Sequence, residues 1–133
     1  MPLSSDRLIE VYRLMLRVRL FEEAVARLLR EGRILGVVHL SAGQEAVAVG
    51  ACAAVGLQDW ITSTHRGHGH LIAKGGDTRR MFAELFGRLD GYCRGKGGSM
   101  HIADLELGML GANGIVGAGL PIAAGAAFAA RYR

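Results

Sequence analysis

The chain has 133 residues, half of them apolar, which is typical of one globular unit able to bury a core. Its formal net charge is +4, but the arginines of residues 13–33 are spread along one predicted helix and mixed with glutamates, whereas a nucleic-acid-binding tract would cluster with aromatic residues. No apolar run approaches the roughly 20 residues that cross a bilayer, and the start lacks a signal-peptide core, so we expect no membrane contact and a cytoplasmic location. Cys52 and Cys93 are too few for a disulfide framework.

The first third of the chain predicts two helices. Apolar residues recur at spacings of three and four over residues 6–30, which predicts one long amphipathic helix. The Ser-Ser-Asp sequence at its start supplies an N-cap, and Gly32 stops it. A second helix is predicted over 44–54, where nearly every residue is small and lets another element approach closely.

The middle of the chain predicts a strand followed by a ligand-binding turn. Residues 60–64 have strand propensity and run directly into the glycine- and histidine-rich segment 65–70. Strands that end in glycine and charge are where α/β proteins place ligands. Asp77 then caps a short helix with apolar residues on one side.

The last third is dominated by glycine. Loops are predicted over 91–99 and 108–119, followed by a small-residue helix over 121–133 with Pro121 in its first turn. The helical pattern runs to the last residue without a glycine cap or a breaker. We therefore expect residues 1–133 to be part of a helix-rich α/β domain, the N-terminal part of a longer one.

The sharpest local feature is the sequence STHRGHGH, residues 63–70. Arg66 offers a planar guanidinium fork for a phosphate, and Gly67 and Gly69 leave room and free N–H groups near a predicted helix start, which favours an anion site. Two alternatives stay open: a surface turn with exposed histidines, and a metal site, although no cysteine or carboxylate lies at ligand spacing. The metal site would use His65, His68 and His70.

Three other segments carry candidate chemistry. His39 lies among Val and Leu just before a predicted helix, and it is either a satisfied core residue or a residue aimed at the ligand. The segment 94–101, RGKGGSMH, is not a Walker loop because no Ser or Thr directly follows Lys96, and it predicts a flexible basic loop near an active-site entrance. The segment 111–117, GANGIVG, either presents backbone to a flat heterocycle or crosses tightly inside the core.

Four motifs follow one another along the chain: HLSAGQEA, STHRGHGH, RGKGGSMH and GMLGANGIVGAGLPIAAGAA. In order and approximate spacing they resemble alpha subunits of the decarboxylating component of 2-oxo acid dehydrogenase complexes, of the pyruvate and acetoin dehydrogenase type. The resemblance covers nearly the whole chain. It implies a thiamine-diphosphate-binding fold, with the cofactor held between the alpha and beta subunits of an α2β2 heterotetramer.

The resemblance also implies which residues bind the cofactor. His65 and Arg66 stand where such subunits often carry Tyr-Arg, with both side chains on the diphosphate, and histidine keeps the hydrogen-bond donor that tyrosine offers. Gly114 and Val116 stand where the backbone meets the aminopyrimidine. For catalysis, His39 matches an active-site histidine near the substrate.

His68 matches a second, less uniform histidine and is the other catalytic candidate. The Mg²⁺ motif of the resembled subunits, GDGxxN, follows the GLPIAAGAA helix and is absent from this sequence. We therefore expect the metal ligands beyond residue 133 and poor cofactor binding by this chain alone.

Two functions follow from the resemblance. In the first, the complete subunit and its beta partner decarboxylate a 2-oxo acid, or cleave acetoin, and pass the acyl group to the lipoyl carrier of an acyltransferase. In the second, the chain is a truncated remnant that only docks to other subunits. The choice among pyruvate, branched-chain 2-oxo acids and acetoin stays open because other parts of the enzyme share the pocket.

Overall fold

The computed structural model describes residues 4–132. Within that range it contains five helices and a small two-stranded sheet. In chain order the elements are α1 (Ser5–Arg30), α2 (Glu45–Ala53), β1 (Ile61–Thr64), α3 (His68–Ala73), α4 (Thr78–Leu85), β2 (Met109–Asn113) and α5 (Gly119–Arg131). The predicted helices and the predicted strand are confirmed to within two residues where the structure describes them, and the prediction for Arg133 lies outside the described residues.

The long helix α1 forms as its periodicity predicts. The Ser4 hydroxyl accepts a hydrogen bond from the Arg7 amide and caps its first turn. Residues spaced by three and four, Val18, Phe21 and Val25, are buried, and this stripe packs α1 against α2 and α3. Apolar residues on other faces of α1 remain exposed. They are Leu8, Ile9, Tyr12, Leu16 and Leu20.

The two strands pair in parallel, with Ile61 opposite Met109 and Thr64 opposite Asn113. The connection between them contains α3 and α4, as a parallel pairing requires. The prediction of an uninterrupted loop over 108–119 is therefore wrong at residues 109–113. The sequence MLGAN has weak strand propensity of its own, and pairing along β1 overrides that local preference.

The core is one cluster of buried residues from α1, α2, α3, α4, β2 and the segment before β2. Its fully buried members are Val18, Val25, Leu71, Ile72, Met81, Ile102 and Met109. Helix α5 packs along β1 but buries none of its described residues. Among residues 4–132, no helix is long and apolar enough to cross a membrane.

Candidate functional site

The register of the sheet brings two predicted cofactor segments side by side. Thr64 and Asn113 are paired at the carboxyl ends of the two parallel strands. His65 directly follows Thr64, and Gly114 directly follows Asn113. The carboxyl end of a parallel sheet is the usual ligand-binding edge of an α/β protein. The STHRGHGH and GANGIVG segments therefore meet at the edge where a ligand is expected.

The third predicted segment, around His39, joins the same edge. The rings of His39 and His65 are 4.9 Å apart between centroids and nearly perpendicular, at 86°. The Arg66 guanidinium donates a hydrogen bond to the carbonyl of Leu40. Nδ1 of His65 is buried and has no hydrogen-bond partner among residues 4–132. Both histidines are half-buried, so this corner combines one guanidinium with two imidazoles at the surface of the core.

The two glycines of STHRGHGH, Gly67 and Gly69, lie against other parts of the protein and not against open space. A Cβ on Gly67 would lie 2.6 Å from Cβ of Ala112, and one on Gly69 would lie 2.9 Å from Cβ of Ala48. Both glycines therefore let α3 press against its neighbours. The prediction that they make room for a ligand is wrong, because protein atoms fill that space.

The three histidines of the segment point to separate partners. His68 is fully buried, with Nδ1 3.0 Å from Oε1 of Glu22 and Nε2 3.0 Å from Oγ of Ser99. Nδ1 of His70 lies 3.0 Å from Oγ of Ser63, and burial lowers the pKa of His70. The surface-turn alternative is therefore wrong. Residues 4–132 contain no group of three His, Cys, Asp or Glu side chains that could hold a metal ion.

The basic loop over residues 91–99 is anchored by a carboxylate. Glu84, at the end of α4, accepts hydrogen bonds from four backbone amides at 2.7 to 2.9 Å. The donors are Cys93, Gly95, Gly97 and Gly98. Burial raises the pKa of Glu84, but the four amides outweigh burial and hold it below its ordinary value. Three of these donors, Gly95, Gly97 and Gly98, lie in the segment 94–101 that the sequence predicts to be flexible, so that segment is tied to α4 at three points.

The same loop leads to the aminopyrimidine candidates. A Cβ built on Gly114 would lie 3.4 Å from Cε1 of His101, which places the last residue of the RGKGGSMH motif against that glycine. Gly114 itself is exposed, and so is the side chain of Val116 in the turn between β2 and α5. All four motifs therefore contribute residues to this end of the sheet.

A cleft of about 390 Å³ opens beside Arg66. It lies between α2, β1 and the start of α5, and its polar lining includes Gln44, Ser63, Thr64, Arg66 and His70. A second cavity, of about 560 Å³, lies between α5 and the strands, with four alanines of α5 along it. The guanidinium lines only the first of these two spaces.

An ion pair fixes the start of α2. Nε of Arg19 lies 2.6 Å from Oε1 of Glu45, and the same oxygen accepts a hydrogen bond from the Gly43 amide. The hydrogen bond from Arg19 is the main reason that the pKa of Glu45 falls to about 2. The turn that carries the HLSAGQEA motif is thereby tied to α1.

Sequence reasoning did not single out several polar residues that hold these segments. Glu22, Ser41, Glu84 and Ser99 are buried and hydrogen-bonded to the motifs or within them. A signal for Glu22 was available in the sequence. It lies four residues after Val18 and three before Val25, so helical spacing places a carboxylate on the buried apolar stripe.

Comparison with known proteins agrees with the four motifs. The model of the family described as "Dehydrogenase E1 component" matches residues 12–133. The chain is 56% identical over 133 residues to the alpha subunit of acetoin:2,6-dichlorophenolindophenol oxidoreductase of Bacillus subtilis (strain 168), covering all of this chain and 40% of that protein. It is 53% identical, with the same coverage, to the protein of that name in Cupriavidus necator.

A pyruvate dehydrogenase subunit is nearly as similar. The chain is 49% identical over 131 residues to the E1 component subunit alpha of Zymomonas mobilis, covering 98% of this chain and 37% of that subunit. The chain therefore spans about 40% of the length of the curated relatives it matches. The family model alone covers most of residues 1–133, and the chain belongs to the dehydrogenase E1 component family.

Proposed function

We propose that this chain forms the diphosphate-facing part of the alpha subunit of a thiamine-diphosphate-dependent dehydrogenase. With a beta subunit, in an α2β2 assembly, the complete alpha subunit would decarboxylate a 2-oxo acid or cleave acetoin. The acyl group would pass to the lipoyl carrier of an acyltransferase. The relatives' names support this class, because they are alpha subunits of acetoin oxidoreductases and of a pyruvate dehydrogenase E1 component.

One observation carries the proposal: separate motifs converge on the carboxyl end of a parallel sheet. The pairing of Thr64 with Asn113 aligns His65 with Gly114, and the His39 ring packs on that of His65. In α/β proteins, ligands bind at the carboxyl ends of parallel strands, in sites built by residues that are far apart in the sequence.

The residues present fit the cofactor's diphosphate. The Arg66 guanidinium has N–H donors beyond the one on Leu40, and a planar fork suits a phosphate. The buried Nδ1 of His65, unpartnered among residues 4–132, provides a second polar contact in the same corner. When bound, thiamine diphosphate supplies a thiazolium that stabilises the carbanion formed on decarboxylation.

The remaining candidates have distinct tasks in this proposal. The backbone of Gly114 and Val116, which are both exposed, would contact the aminopyrimidine. His39 would face the substrate and hold or move a proton, since its half-buried ring lies beside the diphosphate residues. Residues 4–132 contain no suitable cluster of side chains for Mg²⁺. The proposal therefore places the Mg²⁺ ligands outside this range.

Titration calorimetry on the complete alpha subunit with its beta partner tests this function. We expect Arg66→Ala to weaken thiamine diphosphate binding by about 1.5–3 kcal/mol, roughly 10- to 150-fold, the scale of a lost charge-assisted hydrogen bond. Arg79→Ala, which removes an exposed guanidinium at the start of α4, is the matched control and should leave the affinity unchanged. Equal affinities for Arg66→Ala and the parent protein would overturn the assignment.

A further inference from the structure

The most unusual buried group in the described chain is the carboxyl of Glu22. Its side chain is fully buried on α1, where Oε1 lies 2.6 Å from Oγ of Ser41 and 3.0 Å from Nδ1 of His68. The other oxygen, Oε2, is buried and has no hydrogen-bond partner among residues 4–132. Burying a carboxyl is unfavourable unless its hydrogen bonds are all made. A carboxyl with one unpaired oxygen is therefore a poor choice for stability alone.

The hydrogen bonds around Glu22 form a consistent chain of donors and acceptors. The Ser41 hydroxyl donates to Oε1, whose second lone pair can accept an N–H from His68 at 3.0 Å, so we assign the ring proton of His68 to Nδ1. With its proton on Nδ1, His68 can accept at Nε2 from the Ser99 hydroxyl. One carboxyl thus selects the ring tautomer and, through it, the orientation of Ser99.

The other three members of this hydrogen-bonded network each lie two residues from a residue at the ligand-binding edge. Ser41 follows His39, His68 follows Arg66, and Ser99 precedes His101 at Gly114. The three serine and histidine segments come from the turn before α2, the start of α3 and the basic loop. Among the described residues, Glu22 is the group that contacts the first two of these segments directly and reaches the third through a single imidazole.

We propose that Glu22 is a positioning residue of the candidate site, which sets the placement of His39 through Ser41 and that of Arg66 and the 94–101 loop through His68. The proposal rests on the proposed function for its ligand. It also reassigns His68, whose two ring nitrogens face Glu22 and Ser99 inside the core. His68 is accordingly a positioning residue, and not the group that exchanges a proton with substrate.

Ring nitrogen spectra of the ¹⁵N-labelled chain test the proposal without cofactor. The sequence has five histidines, and long-range ¹H–¹⁵N correlations report the tautomer and surroundings of each ring. In the parent chain we expect His68 to be protonated at Nδ1. Glu22→Leu should change the correlation pattern of His68 and shift the ring ¹⁵N signals of His39 and His65. The signals of His70, which is held by Ser63, should not shift. Glu22→Gln keeps an acceptor oxygen and should largely preserve the parent spectrum.

The matched control is Glu23→Leu, the same change on the next, exposed residue of α1, which should move none of these rings. Ser41→Ala removes only the hydrogen bond to Glu22, and Ser99→Ala removes only the one to His68, so these variants keep the test decisive if Glu22→Leu does not fold.

We expect Ser41→Ala to shift the ring signals of His39 but not those of His101. We expect Ser99→Ala to shift the signals of His68 and His101 but not those of His39. Parent-like His39 and His65 signals in Ser41→Ala, or in a folded Glu22→Leu, would show Glu22 to be merely structural.

A cofactor arm separates this inference from the proposed function. In the complete alpha and beta assembly, Glu22→Leu should lower thiamine diphosphate affinity at least tenfold, and Glu22→Gln should restore most of it. If the parent assembly itself binds no thiamine diphosphate, the proposed function fails, while the ring spectra still decide whether Glu22 positions these residues. Parent-like affinity of a folded Glu22→Leu assembly would overturn the positioning role.

Discussion

Single glycines decide how closely α3 can approach the rest of the chain. Gly69 faces α1 and α2, where its missing Cβ would also lie 3.3 Å from Cγ1 of Val18. Both neighbouring side chains are buried and belong to helices, so they cannot withdraw without moving backbone. The orientation of the His65–Arg66 pair, which directly precedes α3, therefore depends on the absence of side chains at this contact.

Gly69→Ala is expected to destabilise the chain by about 1–3 kcal/mol, because the added methyl group overpacks the contact with Ala48 and Val18. The measurement is the free energy of unfolding from denaturant titration. Gly50→Ala is the matched control: Gly50 lies on the exposed side of α2, where an added methyl group would meet no neighbouring atom within 4 Å. It should stabilise by about 0.5–1 kcal/mol through helix propensity. A Gly69→Ala chain as stable as the parent would contradict the packing argument.

Sequence alone predicted the candidate site only as far as residue types reveal chemistry. His39, His65 and Arg66 could be nominated from the motifs, and the structure groups them. The role of Gly69 could not be predicted, because in the sequence a glycine three residues after Arg66 looks the same whether a ligand or Ala48 fills the space. That distinction depends on contacts between residues distant in sequence.

Elements with a strong period were predictable, and those made by pairing were not. Helix α1 follows from its spacing of apolar residues. In strand β2 the large apolar residues are only Met109 and Leu110, which lie between two glycines. The strand forms because its backbone hydrogen-bonds to β1. The anchored shape of the 91–99 loop likewise depends on Glu84, which lies on another element and in the sequence looks like an ordinary helix surface residue.

Glu84→Ala should release that loop. Removing the carboxylate leaves four amides without their acceptor, and we expect a loss of at least about 2 kcal/mol of unfolding free energy. Hydrogen exchange at Cys93, Gly95, Gly97 and Gly98 should accelerate. The control is Glu106→Ala, which removes an exposed carboxylate from the segment between the 91–99 loop and β2. It should change neither measurement. Unchanged protection of these amides in Glu84→Ala would contradict the anchor.

The same carboxylate predicts how stability depends on pH. The folded-state pKa of Glu84 lies below the ordinary value of 4.5, so as the pH falls the unfolded chain binds this proton first. Glu84 therefore contributes fully above about pH 4.5, and its contribution declines as the pH falls through the folded-state value. We expect the stability difference between the parent and Glu84→Gln to shrink below pH 4.5. A difference that stays constant from pH 6 to pH 3 would contradict this.

At the scale of the whole molecule, the described chain exposes a large apolar area. Helix α5 and the residue that follows it expose three large side chains, those of Leu120, Phe128 and Tyr132. The outer faces of α1 add Leu8, Tyr12 and Leu20 to the exposed set. Contiguous apolar patches above a few hundred Å² mark interfaces or cause association. This surface is consistent with a subunit, and it is equally what the docking-only alternative would require.

The exposed apolar faces predict how the purified chain behaves in solution. We expect the purified 133-residue chain to sediment as an oligomer, because apolar faces such as that of α5 associate in water, and Phe128→Lys with Leu120→Lys to shift it toward smaller species. Arg30→Lys, a change that leaves the apolar surface intact, should not shift it.

We also expect no rise in the melting temperature of the purified chain with thiamine diphosphate and Mg²⁺, since residues 4–132 hold no cluster of metal ligands to neutralise the diphosphate. A ligand at roughly 100 times its dissociation constant would stabilise the fold by about 2.7 kcal/mol, which a melting curve detects readily. A monomer whose melting temperature rises with the cofactor would contradict both expectations and would mean that Arg66 and His65 hold the diphosphate without a cluster of metal-ligand side chains.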